Sequence, residues 1–314
     1  MRHLLILPTP TARLCQLVAA ALLVTACSVA ATRFIDVDDY DLYTDVAGLT
    51  ELSGLAASHR HPGVYWGHND SGHSATLYRF NDRGEALGAL DIDGADALDW
   101  EDMASFSDDQ GHWLVIGDIG DNYAIRRYIE VYLLAEPESL SATAAPIKRR
   151  YRLRYPDGPR DAEALAVDPH SGHAYIVSKR DPHPRLYRFD LRGRAPGTIT
   201  LELVGEVKSL PTPERHQQQN AGDISEFSPT GLAFDAGGHA ALMVTLEHSY
   251  YFRRQAGEPW LDALNRSPYV LTPQAMPQTE AGAISVDGHS ALVGSEGYPS
   301  PLSLMQLPRK TGGD

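Results

Sequence analysis

Glu51-Leu-Ser-Gly-Leu-Ala56, Asp99-Trp-Glu-Asp-Met-Ala104, Asp161-Ala-Glu-Ala-Leu-Ala166, Ser228-Pro-Thr-Gly-Leu-Ala233 and Glu280-Ala-Gly-Ala-Ile-Ser285 share one grammar, an acidic or hydroxyl residue ahead of a small-apolar pair. Aligned on Leu55, Met103, Leu165, Leu232 and Ile284, they recur at steps of 48, 62, 67 and 52 residues. Such a period suits propeller blades of four short antiparallel strands with variable outer loops. The chain is therefore expected to be an all-β β-propeller.

Each repeat continues in the same way. A turn follows, such as Asp108-Asp-Gln-Gly111 or Asp168-Pro-His-Ser-Gly172, and then a short run rich in β-formers, such as Trp113-Leu-Val-Ile116 or Ala174-Tyr-Ile-Val177. Runs of this length and composition read as buried strands, and a tight turn makes the pair antiparallel. The start of the first strand and the end of the second then share one end of the hairpin. Five hairpins are visible, and the long steps after Met103 and Leu165 leave room for a degenerate sixth. Six blades are expected, with five as the alternative. Phe34 to Tyr40 is read as a strand closing the ring against the last blade, and Leu210 to Asn220 as a rim loop.

The geometry gathers polar residues on one rim. Strand starts supply Glu51, Ser53, Asp99, Glu101, Asp161, Glu163, Thr230 and Glu280; strand ends supply His68-Asn-Asp-Ser-Gly72, Gly117-Asp-Ile-Gly-Asp-Asn122, Ser178-Lys-Arg-Asp181, Thr245-Leu-Glu-His248 and Ser295-Glu-Gly-Tyr298. One mouth of the channel is predicted to be strongly acidic, with Lys179 and Arg180 as its cations. Calcium takes six to eight oxygens from such groups. Asp118, Asp121 and Asn122 around Gly120 are the first metal candidates, with Glu101, Glu163, Asp70 and Asn69 completing the site. The competing reading is that Asp and Asn there simply cap the loop. Glu51, Asn69, Asp70, Asp99, Asp161, Glu247 and Glu296 are candidate ligand contacts. If the mouth is catalytic, Glu163 or Glu101 is the candidate general base, and Lys179 or Arg180 would neutralise developing negative charge. No Gly-x-Ser-x-Gly string occurs.

The N-terminus points to export. Arg2 and Arg13 precede an apolar stretch, Leu17 to Val24, too short to span a bilayer. Val24-Thr-Ala-Cys27 resembles a bacterial lipobox, which implies lipidation of Cys27, and Ser28 resembles signals sorted to an outer membrane facing the periplasm. Residues 1–26 are thus expected to be a lipoprotein signal peptide, 27–33 a lipid anchor and tether, 34–309 the propeller and 310–314 a tail. The other cysteine, Cys15, lies in the signal, so the mature chain forms no internal disulfide. The full chain carries −14, and losing two arginines and no acids takes the mature chain to −16. Such a charge disfavours nucleic acid and anionic lipid and favours cations. The expected partners are the membrane, through the lipid, and a small ligand or envelope protein; the expected state is a monomer.

Two features are read as structural. Arg150, Arg152 and Arg154 alternate with Tyr151, Leu153 and Tyr155, as on an outer strand with a charged face. His59-Arg-His61 has no second cluster at metal-ligand spacing and is read as loop.

His68-Asn-Asp-Ser-Gly72, Asp99-Trp-Glu-Asp-Met103, Gly117-Asp-Ile-Gly-Asp-Asn122, Tyr155-Pro-Asp-Gly-Pro-Arg-Asp-Ala-Glu-Ala164 and Ser295-Glu-Gly297 together resemble a widespread group of uncharacterised bacterial exported propeller proteins. Ser228-Pro-Thr-Gly-Leu-Ala-Phe-Asp235 and the rim acids more loosely resemble the phytase-like esterase propellers. The overall plan resembles the calcium-dependent gluconolactonases, whose ligand types match Glu51, Asn69 and Glu296 while the surrounding strings differ. The first resemblance implies a fold, and the others imply an enzyme. Two functions follow as expectations: a non-catalytic, lipid-anchored binding propeller whose acidic mouth takes a cation, or a calcium-dependent hydrolase of lactones, esters or phosphoesters using the same mouth.

Overall fold

The computed structural model describes residues 33–36, 41–193, 197–212, 224–272, 276 and 278–308. They form five antiparallel blades. The innermost strands are Leu52–Ala57, Trp100–Asp108, Ala162–Val167, Pro229–Phe234 and Thr279–Ile284. Each lies beside the next, and the fifth lies beside the first, so the ring is closed.

The sixth blade expected from the long steps does not exist among the described residues. The extra length after Met103 includes Ala144–Pro146, which leaves blade two to pair in parallel with Ala86–Asp93 of blade one. In the step after Leu165, Thr198–Thr200 returns to pair in parallel with Arg149–Arg154 of blade two. Inter-blade straps look like strands in sequence because they are strands. The arginine-rich strand has the expected alternation, with Tyr151 and Leu153 buried, and Arg150 pairs with Asp96 and Glu130.

The N-terminal segment splits between two blades. Arg33–Asp36 pairs in parallel with Tyr269–Thr272 of blade four, whereas Asp41–Thr44 pairs antiparallel with Ser300–Gln306 and completes blade five. Closure of the last blade thus falls on Asp41–Thr44 rather than Phe34–Tyr40. Most of Leu210–Asn220, and the segment 1–32 with Cys27, lie outside the described residues.

Five hydrophobic clusters fill the five wedges between neighbouring blades. Between blades one and two, Trp66, Trp100 and Met103 pack with Tyr132 and Leu134. Both faces of each blade are covered, which is why the inner strands read as continuous apolar runs rather than alternating ones. Burying each such large side chain contributes about 2–3 kcal/mol.

One irregularity repeats in all five inner strands. The pairing register of the inner strand skips a single residue in each: Ser53, Glu101, Glu163, Thr230 and Glu280. A bulge leaves its extra residue outside the ladder and re-aims its side chain. Here the same bulge, at the same end of each inner strand, lines the mouth of the channel. Farther along, Leu55, Met103, Leu232 and Ile284 line a small cavity, together with His59 and Ser105.

Candidate acidic site at the channel mouth

The bulge residues knit the mouth together. Ser53 Oγ donates to the Glu101 carbonyl at 2.7 Å, and Thr230 Oγ1 donates to the Thr279 carbonyl at 2.9 Å. Carboxylate oxygens of Glu101, Asp161 and Glu163 all lie within 4.8 Å of one another, and those of Asp70, Asp99 and Glu101 do the same. Glu101 belongs to both trios. Residues from three successive repeats therefore become neighbours, as the convergence of strand starts and strand ends requires.

The two trios differ in charge compensation. Lys179 Nζ pairs with Glu163, and Arg180 Nε donates to Asp161 Oδ2 at 2.5 Å. Asp161 Oδ1 also accepts the Asp121 N–H at 2.9 Å. Among the described residues, no lysine, arginine or histidine ion-pairs with Asp70, Asp99 or Glu101. Like charges in a confined space raise one another's pKa values. Burial and then Asp70 push Asp99 up to about 6. Burial, Glu163, Asp70 and Asp99 hold Glu101 far above the usual carboxylate range. Burial raises Glu163 to about 7 against the pull of Lys179, and burial with Glu163 and Glu296 raises Glu280 to about 9. Burial alone would lower Lys179, but Glu163 leads a set of carboxylates that holds it above its ordinary value.

Gly120 shapes the less compensated trio. A Cβ at that position would stand 2.0 Å from Glu101 Oε1 and 2.6 Å from Asp99 Oδ2. The two carboxylates fill the space that a side chain would need. An all-oxygen donor set of this kind suits a hard divalent cation, and the residues present fit one.

The loop around Gly120 does not present the carboxylates expected of it. Asp118 Oδ1 accepts from Arg126 at 2.6 Å while its Oδ2 accepts the Leu98 N–H at 3.2 Å. Asp121 takes the N–H groups of Ile125 and Arg126 at 2.9 and 2.7 Å, and Asn122 Oδ1 accepts from Arg180. All three brace the loop, and Asp118 and Asp121 belong to neither converging trio. Asn69 is likewise occupied: its Oδ1 accepts the N–H groups of Thr50 and Glu51, and its Nδ2 donates to the Gly48 carbonyl. Glu51 is exposed and pairs with His73 at 2.8 Å. Glu296 reaches Glu280, whereas Glu247 is exposed and outside both trios.

Two residues went unremarked in sequence. Asp102 is fully buried on the axis, where its oxygens accept the backbone N–H groups of Met103, Leu165 and Leu232. His68 is fully buried edge-on to Trp100, and desolvation drives its pKa down to about 4, so it is a neutral wedge. Both sit in quoted strings, but only the ring closure brings their partners near.

Fold and site together define a five-bladed propeller with an acidic axial mouth. The family model described as phytase-like, "Esterase-like activity of phytase", matches residues 47–256, and the chain belongs to that family. The match spans blades one to three and most of blade four. No curated protein matches the chain. Among solved structures, hydrazine synthase of Kuenenia stuttgartiensis is similar at 8% identity and a TM-score of 0.42, covering 82% of this chain and 72% of that one.

Proposed function

We propose that the acidic mouth is a calcium-dependent ester-hydrolysis site. The observation that carries this reading is the trio of Asp70, Asp99 and Glu101, convergent and without an ion-pair partner among the described residues, beside a second trio already balanced by Lys179 and Arg180. Asp70, Asp99 and Glu101 would hold the ion. A divalent cation held by them would supply Lewis-acid polarisation of an ester or phosphoester oxygen.

The chain's own groups do the remaining work. Glu163, with its pKa near 7, takes up and releases a proton at its carboxylate in the neutral range. Lys179 keeps that carboxylate partly ionised and places a positive charge where an oxyanion would develop. Family membership supports the reaction class. The test is turnover of p-nitrophenyl acetate and p-nitrophenyl phosphate by protein lacking residues 1–27, with calcium and with chelator. Turnover abolished by chelator and by Glu163→Gln supports the reading, and no turnover of either ester under any condition overturns it.

A second reading is a non-catalytic cation-binding propeller. It is favoured by the engagement of both rim cations, Lys179 with Glu163 and Arg180 with Asp161, which leaves neither standing apart from a carboxylate. Calcium binding without turnover would select it. Under either reading, we propose a lipid on Cys27 that places a monomeric propeller at the periplasmic face of the outer membrane; unchanged membrane fractionation of Cys27→Ser would overturn that placement.

A further inference from the structure

Several of the large apolar side chains left in solvent lie on connections at the acidic rim, among them Leu98, Tyr123, Ile125 and Tyr298. Three of these are gathered on blade two. The Leu98 N–H and the Arg126 guanidinium share the Asp118 carboxylate, and the Ile125 N–H is capped by Asp121, so Leu98 and the Tyr123–Ile125 tip hang from one braced corner. The same loop carries Gly120, against which Glu101 and Asp99 lie.

Two facts set this corner apart from an ordinary loop tip. Tyr123 is 84% exposed and Ile125 is 75% exposed, although nearby turns carry Asp, Asn, Ser and Gly. Between them, Ala124 has a φ of +50°, in the left-handed region that alanine rarely adopts. Such a conformation persists only where surrounding bonds over-determine it. Here Arg126 is tied to the Gly120 carbonyl at 2.6 Å as well as to Asp118, and Asp121 closes the turn from the other side. The loop spends strain to hold two apolar side chains in water beside the carboxylate trio.

We propose that Leu98, Tyr123 and Ile125 form a binding ledge for the apolar portion of the substrate, so that the site takes esters of an acyl or aryl group in preference to small, multiply charged phosphoesters. This rests on reading the mouth as an ester-hydrolysis site. The charge arrangement agrees with it: Lys179 and Arg180, the cations nearest the carboxylate trios, are already engaged by Glu163 and Asp161, whereas an uncharged chain needs neither. Each methylene moved from water onto the ledge is worth about fourfold in binding.

The experiment compares kcat/KM for p-nitrophenyl acetate, butyrate and octanoate in calcium, for the wild type and for the double variant Tyr123→Ser with Ile125→Ser. Both side chains are exposed, so the variant is expected to fold, which its melting temperature checks. The expected result is a rise of about tenfold from acetate to butyrate in the wild type and a collapse of the octanoate-to-acetate ratio in the variant. A second readout needs no turnover: fluorescence of the uncharged probe N-phenyl-1-naphthylamine, enhanced by the wild type and lost in the variant. Turnover without a chain-length gradient, or with the gradient intact in the variant, overturns the ledge and leaves the hydrolysis reading standing. Absence of turnover with probe binding lost in the variant removes the hydrolysis reading and with it the ester assigned to the ledge, leaving only an apolar binding surface; probe binding unchanged in the variant overturns the ledge itself. Phosphatidylcholine vesicle binding that depends on these side chains, without an ester gradient, would assign them to a lipid surface and likewise overturn the proposal.

Discussion

Asp102 Oδ2 accepts the backbone N–H of Leu165 at 2.7 Å and that of Leu232 at 3.0 Å, so a single carboxyl oxygen on blade two ties in the inner strands of blades three and four. These N–H groups lie on the channel edge of strands whose other edge is paired to a hairpin partner. Nothing in the antiparallel ladder serves them.

Removing that oxygen should therefore loosen the ring. Asp102→Ala leaves buried donors unpaired, each costing about 1–3 kcal/mol, and is expected to destabilise the protein by about 3 kcal/mol in urea denaturation. Burial holds the Asp102 pKa well above the ordinary carboxylate value. Asp102→Asn keeps an acceptor and avoids a buried charge, so it should recover most of the loss. Equal destabilisation by both variants would show that the oxygen is not what matters.

Gly120→Ala should be more damaging to cation binding than to folding. Its Cβ would meet Glu101 Oε1 at 2.0 Å and displace the carboxylates of the less compensated trio. Calcium affinity measured by titration calorimetry is expected to fall by at least about tenfold, the loss of roughly 1.4 kcal/mol in binding. Asp99→Asn should act in the same direction, and unchanged affinity in both would remove the trio from the site.

Stability in chelator should decline as pH rises. Asp99, Glu163 and Glu280 titrate at about 6, 7 and 9 in the folded chain, all above their ordinary values. An acid whose folded pKa is raised binds its proton more tightly when folded; that contribution is full below the unfolded pKa and disappears as pH climbs through the folded one. The melting temperature in chelator is thus expected to drop between pH 5 and pH 9, a window set by the same three groups. Calcium should flatten the decline and displace protons as it binds. A chelator curve that rises over this range would contradict the electrostatics described.

Lys179→Met should separate charge from packing. Without the ammonium, Glu163 loses its one lowering partner of first rank and its pKa should climb further. The acid limb of the kcat/KM profile is expected to move to higher pH, with a loss of about 100-fold at pH 7. An unmoved limb would exclude Glu163 as the titrating base.

The propeller was legible because its hairpins repeat. Alignment on Leu55, Met103, Leu165, Leu232 and Ile284 identifies the five inner strands directly. Blade number was not, because Ala144–Pro146 and Thr198–Thr200 are lent across blades, and local β-pattern carries no information about which sheet receives a strand. The acidic mouth was legible for the same reason as the fold. Within it, Glu101, Asp161, Glu163, Asp70 and Asp99 converge, whereas Asp118 and Asp121 turn into the loop. Ligand and cap demand the same residue types, and the deciding partner, Arg126, lies beyond the string that drew attention. The shared bulge was also hidden, since one skipped register position leaves no compositional trace.

Blade five is built from both ends of the described chain, Asp41–Thr44 lying against Ser300–Gln306. Among the described residues the ring is fastened at a seam where the N-terminal segment meets late strands, and the fifth blade cannot be completed until the last strand has been made. The inner strand of that same blade lies between the first and fourth blades and carries Glu280, which faces Glu163 of blade three. Mutations that weaken the seam should therefore injure the mouth from a distance, even where no carboxylate is touched.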